Sequence, residues 1–147
     1  MMEQNTYIKE RLDDQIAWYD KKSQSNQKWY KRLRVIELIA GASIPFLAAY
    51  ITEASLILKL AVGFLGLLIT IITGVVTLYK FQENWIEYRT TCETLRHERF
   101  LYLSQTEPYD FEDAFKLLVQ RVENLISKEN TQWAQSIKSS KKENKKD

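Results

Sequence analysis

The sequence predicts an all-α membrane protein. Its expected form is a hairpin of two membrane-spanning helices that extend into a cytoplasmic helical bundle, with a third, C-terminal cytoplasmic helix. Three observations predict this. Apolar residues concentrate between Val35 and Tyr79, and the two stretches there, 35–52 and 55–79, carry one charge each, Glu37 and Lys59. Charged residues crowd both flanks of that region. Only 4 Gly and 2 Pro occur in 147 residues, so few breakers oppose long helices.

The elements follow in order. Residues 4–32 are expected to form a cytoplasmic helix that continues into a first span over 33–52. A turn is expected at 53–54. A second span over 55–79 is expected to run on as a cytoplasmic helix to 104, because no Gly or Pro separates the apolar run from the charged one. A helix rises about 1.5 Å per residue, so roughly 20 residues cross a hydrocarbon core of about 30 Å. The second stretch has that length alone; the first needs Leu33 and Arg34 as well. The competing reading is a buried hairpin in a soluble protein, and a chain this short lacks the shell to cover helices apolar on every face.

Lys and Arg near the spans set orientation. Lys21, Lys22, Lys28, Lys31, Arg32 and Arg34 precede the first span, and Lys80, Arg89, Arg96 and Arg99 follow the second. The connecting turn has none, so both termini are expected to be cytoplasmic. Trp29, Tyr30 and Tyr79 suit the inner interface, and Tyr50 the outer one. The first thirty residues are polar, so no secretory signal is expected.

Below the spans, Phe81, Trp85, Tyr88, Cys92 and Leu95 recur at steps of four and three, a seam that one helix presents to another. Ile8, Leu12, Gln15, Tyr19, Lys22, Asn26, Trp29 and Leu33 repeat the spacing upstream. Trp85, Tyr88, Cys92 and Leu95 are therefore candidates for a cytoplasmic assembly seam. The stretch from Gln105 to Asp110 reads as a turn around Pro108. A third helix over 110–138 is expected to begin at a cap on Asp110, with Phe111, Phe115, Leu118, Val122 and Leu125 on one stripe. Residues 139–147 form a basic tail expected to be disordered, so that 1–138 make one membrane domain.

No residue pattern carries catalysis. The single His97 lies among charges on a helix, no Cys/His cluster has metal spacing, and no phosphate-binding or dinucleotide motif occurs. Glu93 and Glu98 are expected to pair with arginines on their own helix. No enzymatic activity, metal or cofactor is expected. A net charge of +2 argues against a nucleic-acid partner. The lone Cys92 forms no internal disulfide.

The informative polar groups lie in the apolar region. Gly63, Gly66, Thr70, Thr73 and Thr77 share one face of the second span, and reflection about the turn puts Glu37 near the depth of Thr70. These six residues are candidates for a pore lining or for helix packing. Glu37 paired with Arg34 or Lys80 is the structural alternative. Pro45, with Gly41 one turn earlier, is a candidate hinge.

Trp85, Tyr88-Arg89, Glu93, Leu95, Glu98, Phe100-Leu101 and Tyr109, followed by Arg121-Val122-Glu123, Glu129 and Trp133, form a pattern that is similar to a bacterial family. That family is a two-transmembrane domain of unknown function allied to the SLATT superfamily, the SMODS and SLOG-associating two-transmembrane effectors. The resemblance implies a homo-oligomeric, pore-forming or channel-like effector in the bacterial inner membrane, part of a conflict or stress system and triggered by a sensor protein or nucleotide signal. The alternative is a non-conducting scaffold or anchor whose cytoplasmic helices bind a partner.

Overall fold

The computed structural model describes residues 4–52 and 55–127. Every regular element among them is helical: α1 (Gln4–Tyr7), a π-helical segment (Ile8–Leu12), α2 (Asp13–Ala48), α3 (Leu56–Tyr79), α4 (Phe81–Leu103) and α5 (114–127). Two compact units result. One comprises Met1–Asp20 with Tyr88–Asp147, and the other Lys21–Glu87.

Helix α2 is 36 residues long, with Asp13 and Asp14 in its first turn, where negative charge complements the helix dipole. It ends at Ala48, short of the expected 52. The amide of Ala49 still donates to the Pro45 carbonyl, but Tyr50 and Ile51 reach back only three residues, to Leu47 and Ala48. Pro45 thus sits in the last turn of α2. Ser55 then stabilises the approach to α3: its Oγ accepts from the Thr52 amide at 2.8 Å and donates to the Thr52 carbonyl at 2.7 Å. The expected turn at 53–54 lies outside the described residues.

The expected unbroken passage from apolar to charged helix is interrupted at one residue. Lys80 adopts the left-handed conformation, φ 48° and ψ 42°, and closes α3. Asn84 then donates its side-chain amide to the Tyr79 carbonyl at 3.0 Å, satisfying an acceptor that the break releases. Helix α4 ends in a Schellman arrangement. Gln105 is left-handed at φ 51°, its amide bonds the Tyr102 carbonyl, and the Thr106 amide reaches the Leu101 carbonyl. The Glu107–Pro108 peptide bond is cis.

In the unit that contains the termini, Leu12, Cys92, Leu95, Leu118 and Val122 are completely buried, and Tyr7, Ile8, Ile16, Tyr19, Tyr109, Ala114 and Ile126 complete the core. Each large aliphatic side chain so buried contributes about 1.5–3 kcal/mol. The upstream stripe differs from the expected one. Ile16 replaces Gln15 in this core and, in the other unit, Ser23 rather than Lys22 is buried. The π-helical segment accounts for part of this, because its wider turn shifts the face that follows. Helix α5 begins at Ala114, later than 110, and buries Ala114, Leu118, Val122 and Ile126. Phe111 is half-exposed instead of leading that stripe. The expected extension to 138 and the basic tail lie outside the described residues.

In the unit Lys21–Glu87, α2 and α3 pack against each other, with the Ile69 side chain 4.0 Å from a Cβ built at Gly41. Ala40, Ile72 and Val76 are buried there, while Val35, Leu38, Ile39, Phe46, Ile57, Leu60, Phe64 and Leu67 remain exposed. Among the described residues, the run Leu56–Leu103 is long and apolar enough to cross a membrane, and only 6% of its most apolar stretch is buried. The apolar part of α2, from Val35 to Ala48, is shorter, at about 21 Å by helical rise.

Candidate functional site

Glu37 is the one acid in the apolar part of α2, and two neighbours satisfy it. Arg34, one turn earlier, donates to Oε2 at 2.8 Å, and Thr73 of α3 donates to Oε1 at 2.8 Å. The partner in α3 is thus one turn beyond the expected Thr70. The turn absorbs more chain than expected, which moves the reflection point toward Ser55. Of the two expected basic partners, Arg34 takes the role.

Thr73 leads to the rest of the small-residue stripe. Thr70 donates to the Gly66 carbonyl at 3.0 Å and Thr77 to the Thr73 carbonyl at 2.8 Å, so both hydroxyls are held by their own helix. A Cβ at Gly63 or Gly66 meets nothing within 4 Å. The contact with α2 uses Ile69, Ile72 and Val76 instead. Gly63, Gly66, Thr70 and Thr77 therefore form a face that the hairpin itself leaves open, and Thr73, bonded to Glu37, marks its edge.

The seam residues divide differently. Trp85 belongs to the unit Lys21–Glu87, where Lys31 Nζ lies 5.8 Å from its ring centre and Ser23 Oγ donates to its carbonyl at 3.4 Å. Ser23 is buried; the rest of the polar stretch around it, 22–27, is exposed or half-exposed. Tyr88 packs edge-on against Trp18, with ring centres 5.8 Å apart. Cys92 and Leu95 are used up inside the chain's own core and present nothing to a second copy. Burial pushes the Cys92 thiol above its ordinary pKa.

Sequence reasoning missed a pair of matching polar clamps, each made of a glutamate, an arginine and a tyrosine. In the first, Arg121 grips Glu98 with Nε 2.9 Å from Oε2 and Nη2 2.6 Å from Oε1, and the Tyr109 hydroxyl donates to Oε2. In the second, Arg11 holds Glu123 at 3.1 and 3.0 Å, and Tyr7 donates to Oε1 at 3.0 Å. Burial alone would raise the Glu98 pKa, but hydrogen bonds from Arg121 and Tyr109 outweigh it and hold the carboxyl below its usual range. The Glu123 carboxyl is lowered chiefly by its Arg11 hydrogen bond. Burial, then the bond to a carboxylate, raises both tyrosine hydroxyls. Glu98 thus pairs across helices, whereas Glu93 pairs with Arg89 and Arg96 of α4 as expected. A ladder beside them joins Asp13 to Arg99 and Asp20 to Arg89 and Arg96.

Residues 14–115 match the family model described as Protein of unknown function (DUF4231). The chain belongs to the DUF4231 family. Neither the curated proteins nor the solved structures contain a match to it. The DUF4231 region takes in Glu37, the open face of α3, Glu98 and Tyr109, while Arg121 and Glu123 follow it. Among the described residues no three His, Cys, Asp or Glu side chains gather into a group that could hold a metal ion.

Proposed function

We propose that this DUF4231 chain is an oligomeric membrane protein, a pore-forming or channel-like effector of a bacterial conflict or stress system. Its membrane part is a two-span hairpin of α2 and α3, with both termini cytoplasmic. One observation carries the membrane reading: among the described residues, only 6% of the apolar stretch in the run Leu56–Leu103 is buried. In a soluble protein such a helix is the core; here it faces outward and needs lipid or further protein around it. The short apolar part of α2 reaches span length once Tyr50 and Ile51 are added at one end and Arg34 snorkels at the other.

The open face of α3 supports oligomerisation. Two helices cannot enclose an aqueous path, and Gly63, Gly66, Thr70, Thr73 and Thr77 provide a small, hydroxyl-bearing surface for copies to meet around one. The conflict-system role rests on the resemblance to the SLATT superfamily. A non-conducting anchor is the second reading, and the closed contacts of Glu37 with Arg34 and Thr73 favour it.

Flux assays on the full chain in liposomes separate the two. A pore predicts dye-reported ion leak that rises with protein-to-lipid ratio, while a tight seal with stable insertion leaves the anchor. A protein that stays soluble and monomeric without detergent overturns both.

A further inference from the structure

We infer that the outer face of α2 is a docking surface for an anionic phospholipid, with Arg32 and Lys28 holding the lipid phosphate. The inference rests on the membrane reading above and adds the identity of the lipid that the protein selects.

Charge bookkeeping along the helices points to it. Among the described residues six of the seven arginines have a carboxylate partner: Arg11, Arg34, Arg89, Arg96, Arg99 and Arg121. Arg32 has none. The segment around it, 21–34, contains six Lys or Arg residues and no Asp or Glu. Lys31 is directed to the Trp85 ring and Arg34 to Glu37, so these two cations are occupied. Lys28 and Arg32 are exposed one turn apart.

Their position decides the ligand class. At about 100° per residue, Lys21, Lys28, Arg32, Val35, Ile39 and Phe46 fall within an arc of about 60°. The same arc is basic below and apolar above, and Val35, Ile39 and Phe46 are 54%, 61% and 65% exposed. Arg32 precedes Val35 by about 4.5 Å along the axis. A ligand that fits this face carries negative charge at one end and a long apolar body at the other. A guanidinium fork suits a phosphodiester, and the exposed aliphatic row suits its acyl chains. A soluble phosphate or acidic peptide would leave that row uncovered.

The test reconstitutes the full chain in nanodiscs with phosphatidylglycerol or phosphatidylcholine and counts retained lipid by native mass spectrometry. The wild type is expected to retain phosphatidylglycerol selectively. Lys28→Gln with Arg32→Gln is expected to weaken that retention on the order of tenfold. A charge-matched control, Lys9→Gln with Lys116→Gln, is expected to keep it. Equal retention of both lipids by the wild type overturns the inference, as does loss in the control alone or selectivity that survives in the Lys28/Arg32 variant. Displacement of the lipid by millimolar inorganic phosphate also overturns it, since the acyl row would then contribute nothing. Failure to insert at all strikes instead at the membrane reading, and carbonate extraction of membranes detects that separately.

Discussion

Arg121 reaches Glu98 with both ends of its guanidinium fork, 2.6 and 2.9 Å from the two carboxylate oxygens, and so ties α5 to α4. The Glu98 side chain is 5% exposed and that of Arg121 45%, so the carboxylate is the desolvated partner. Removal of the arginine leaves a buried charge with only Tyr109 to support it. The Arg11–Glu123 clamp is alike in chemistry, but its side chains are 43% and 41% exposed.

That difference in burial sets the sizes of two losses. Arg121→Met is expected to destabilise the protein by about 2–3 kcal/mol, because it strands a buried carboxylate. Arg11→Met is expected to cost about 1 kcal/mol or less, since water replaces the lost partner. Denaturant unfolding of the detergent-solubilised protein, followed by helical circular dichroism, measures both. Equal losses would mean that burial does not govern the clamps.

The clamps also predict a two-sided pH dependence. Glu98 and Glu123 have pKa values lowered from 4.5, so their stabilisation is present above that value and is lost as pH falls through the folded values. Tyr7 and Tyr109 are raised from 10.0, so their contribution is complete below 10 and fades as pH rises through the folded values. Thermal melts across pH 3–11 should therefore show a plateau with an acid and an alkaline limb. Glu98→Gln should reduce the acid limb and leave most of the alkaline one, because Tyr7 still titrates.

Under the proposed oligomeric reading, the open face of α3 predicts a variant that folds yet fails to assemble. Gly66→Leu introduces a side chain where a Cβ meets nothing within 4 Å, so the single chain tolerates it. Leucine also has the higher helix propensity, by about 0.8 kcal/mol. Circular dichroism should show unchanged helicity, and light scattering in detergent a lower oligomeric mass. An oligomer of wild-type mass would remove this face from assembly.

Lys80 offers a test in which sign alone decides. At φ 48° a side chain is disfavoured, and Lys80→Gly is expected to stabilise the protein by up to about 1 kcal/mol. In an uninterrupted helix the same exchange would cost about 1 kcal/mol. A shift of the melting midpoint upward supports the break; a downward shift argues for one continuous rod.

The all-helical class was readable in the sequence because its causes are local: few breakers and a concentrated apolar run. The break at Lys80 was not, since lysine carries none of the usual marks of a left-handed cap. Only Asn84, placed to bond the Tyr79 carbonyl, hinted at it. The seam around Cys92 and Leu95 was visible as spacing, but spacing does not say which surface fills it, and the chain's own helices do. Glu37 was picked out by its rarity among apolar neighbours, and its depth was misjudged by one turn because turn length does not follow from residue type. Glu98 was expected to pair within its own helix because Arg121 lies far along the chain and meets it only after the turn at Tyr109.

Cys92 carries the protein's only thiol, and it is sealed within the interhelical packing, where its sulfhydryl also lies 3.6 Å from the Ile16 carbonyl. A cysteine introduced at an exposed position thus reacts with impermeant maleimide against a silent native background. Under the membrane reading, such a thiol placed at Tyr50 and at Tyr79 in turn tells which side the α2–α3 connection and the far end of α3 occupy, without any prior change to the wild-type interior.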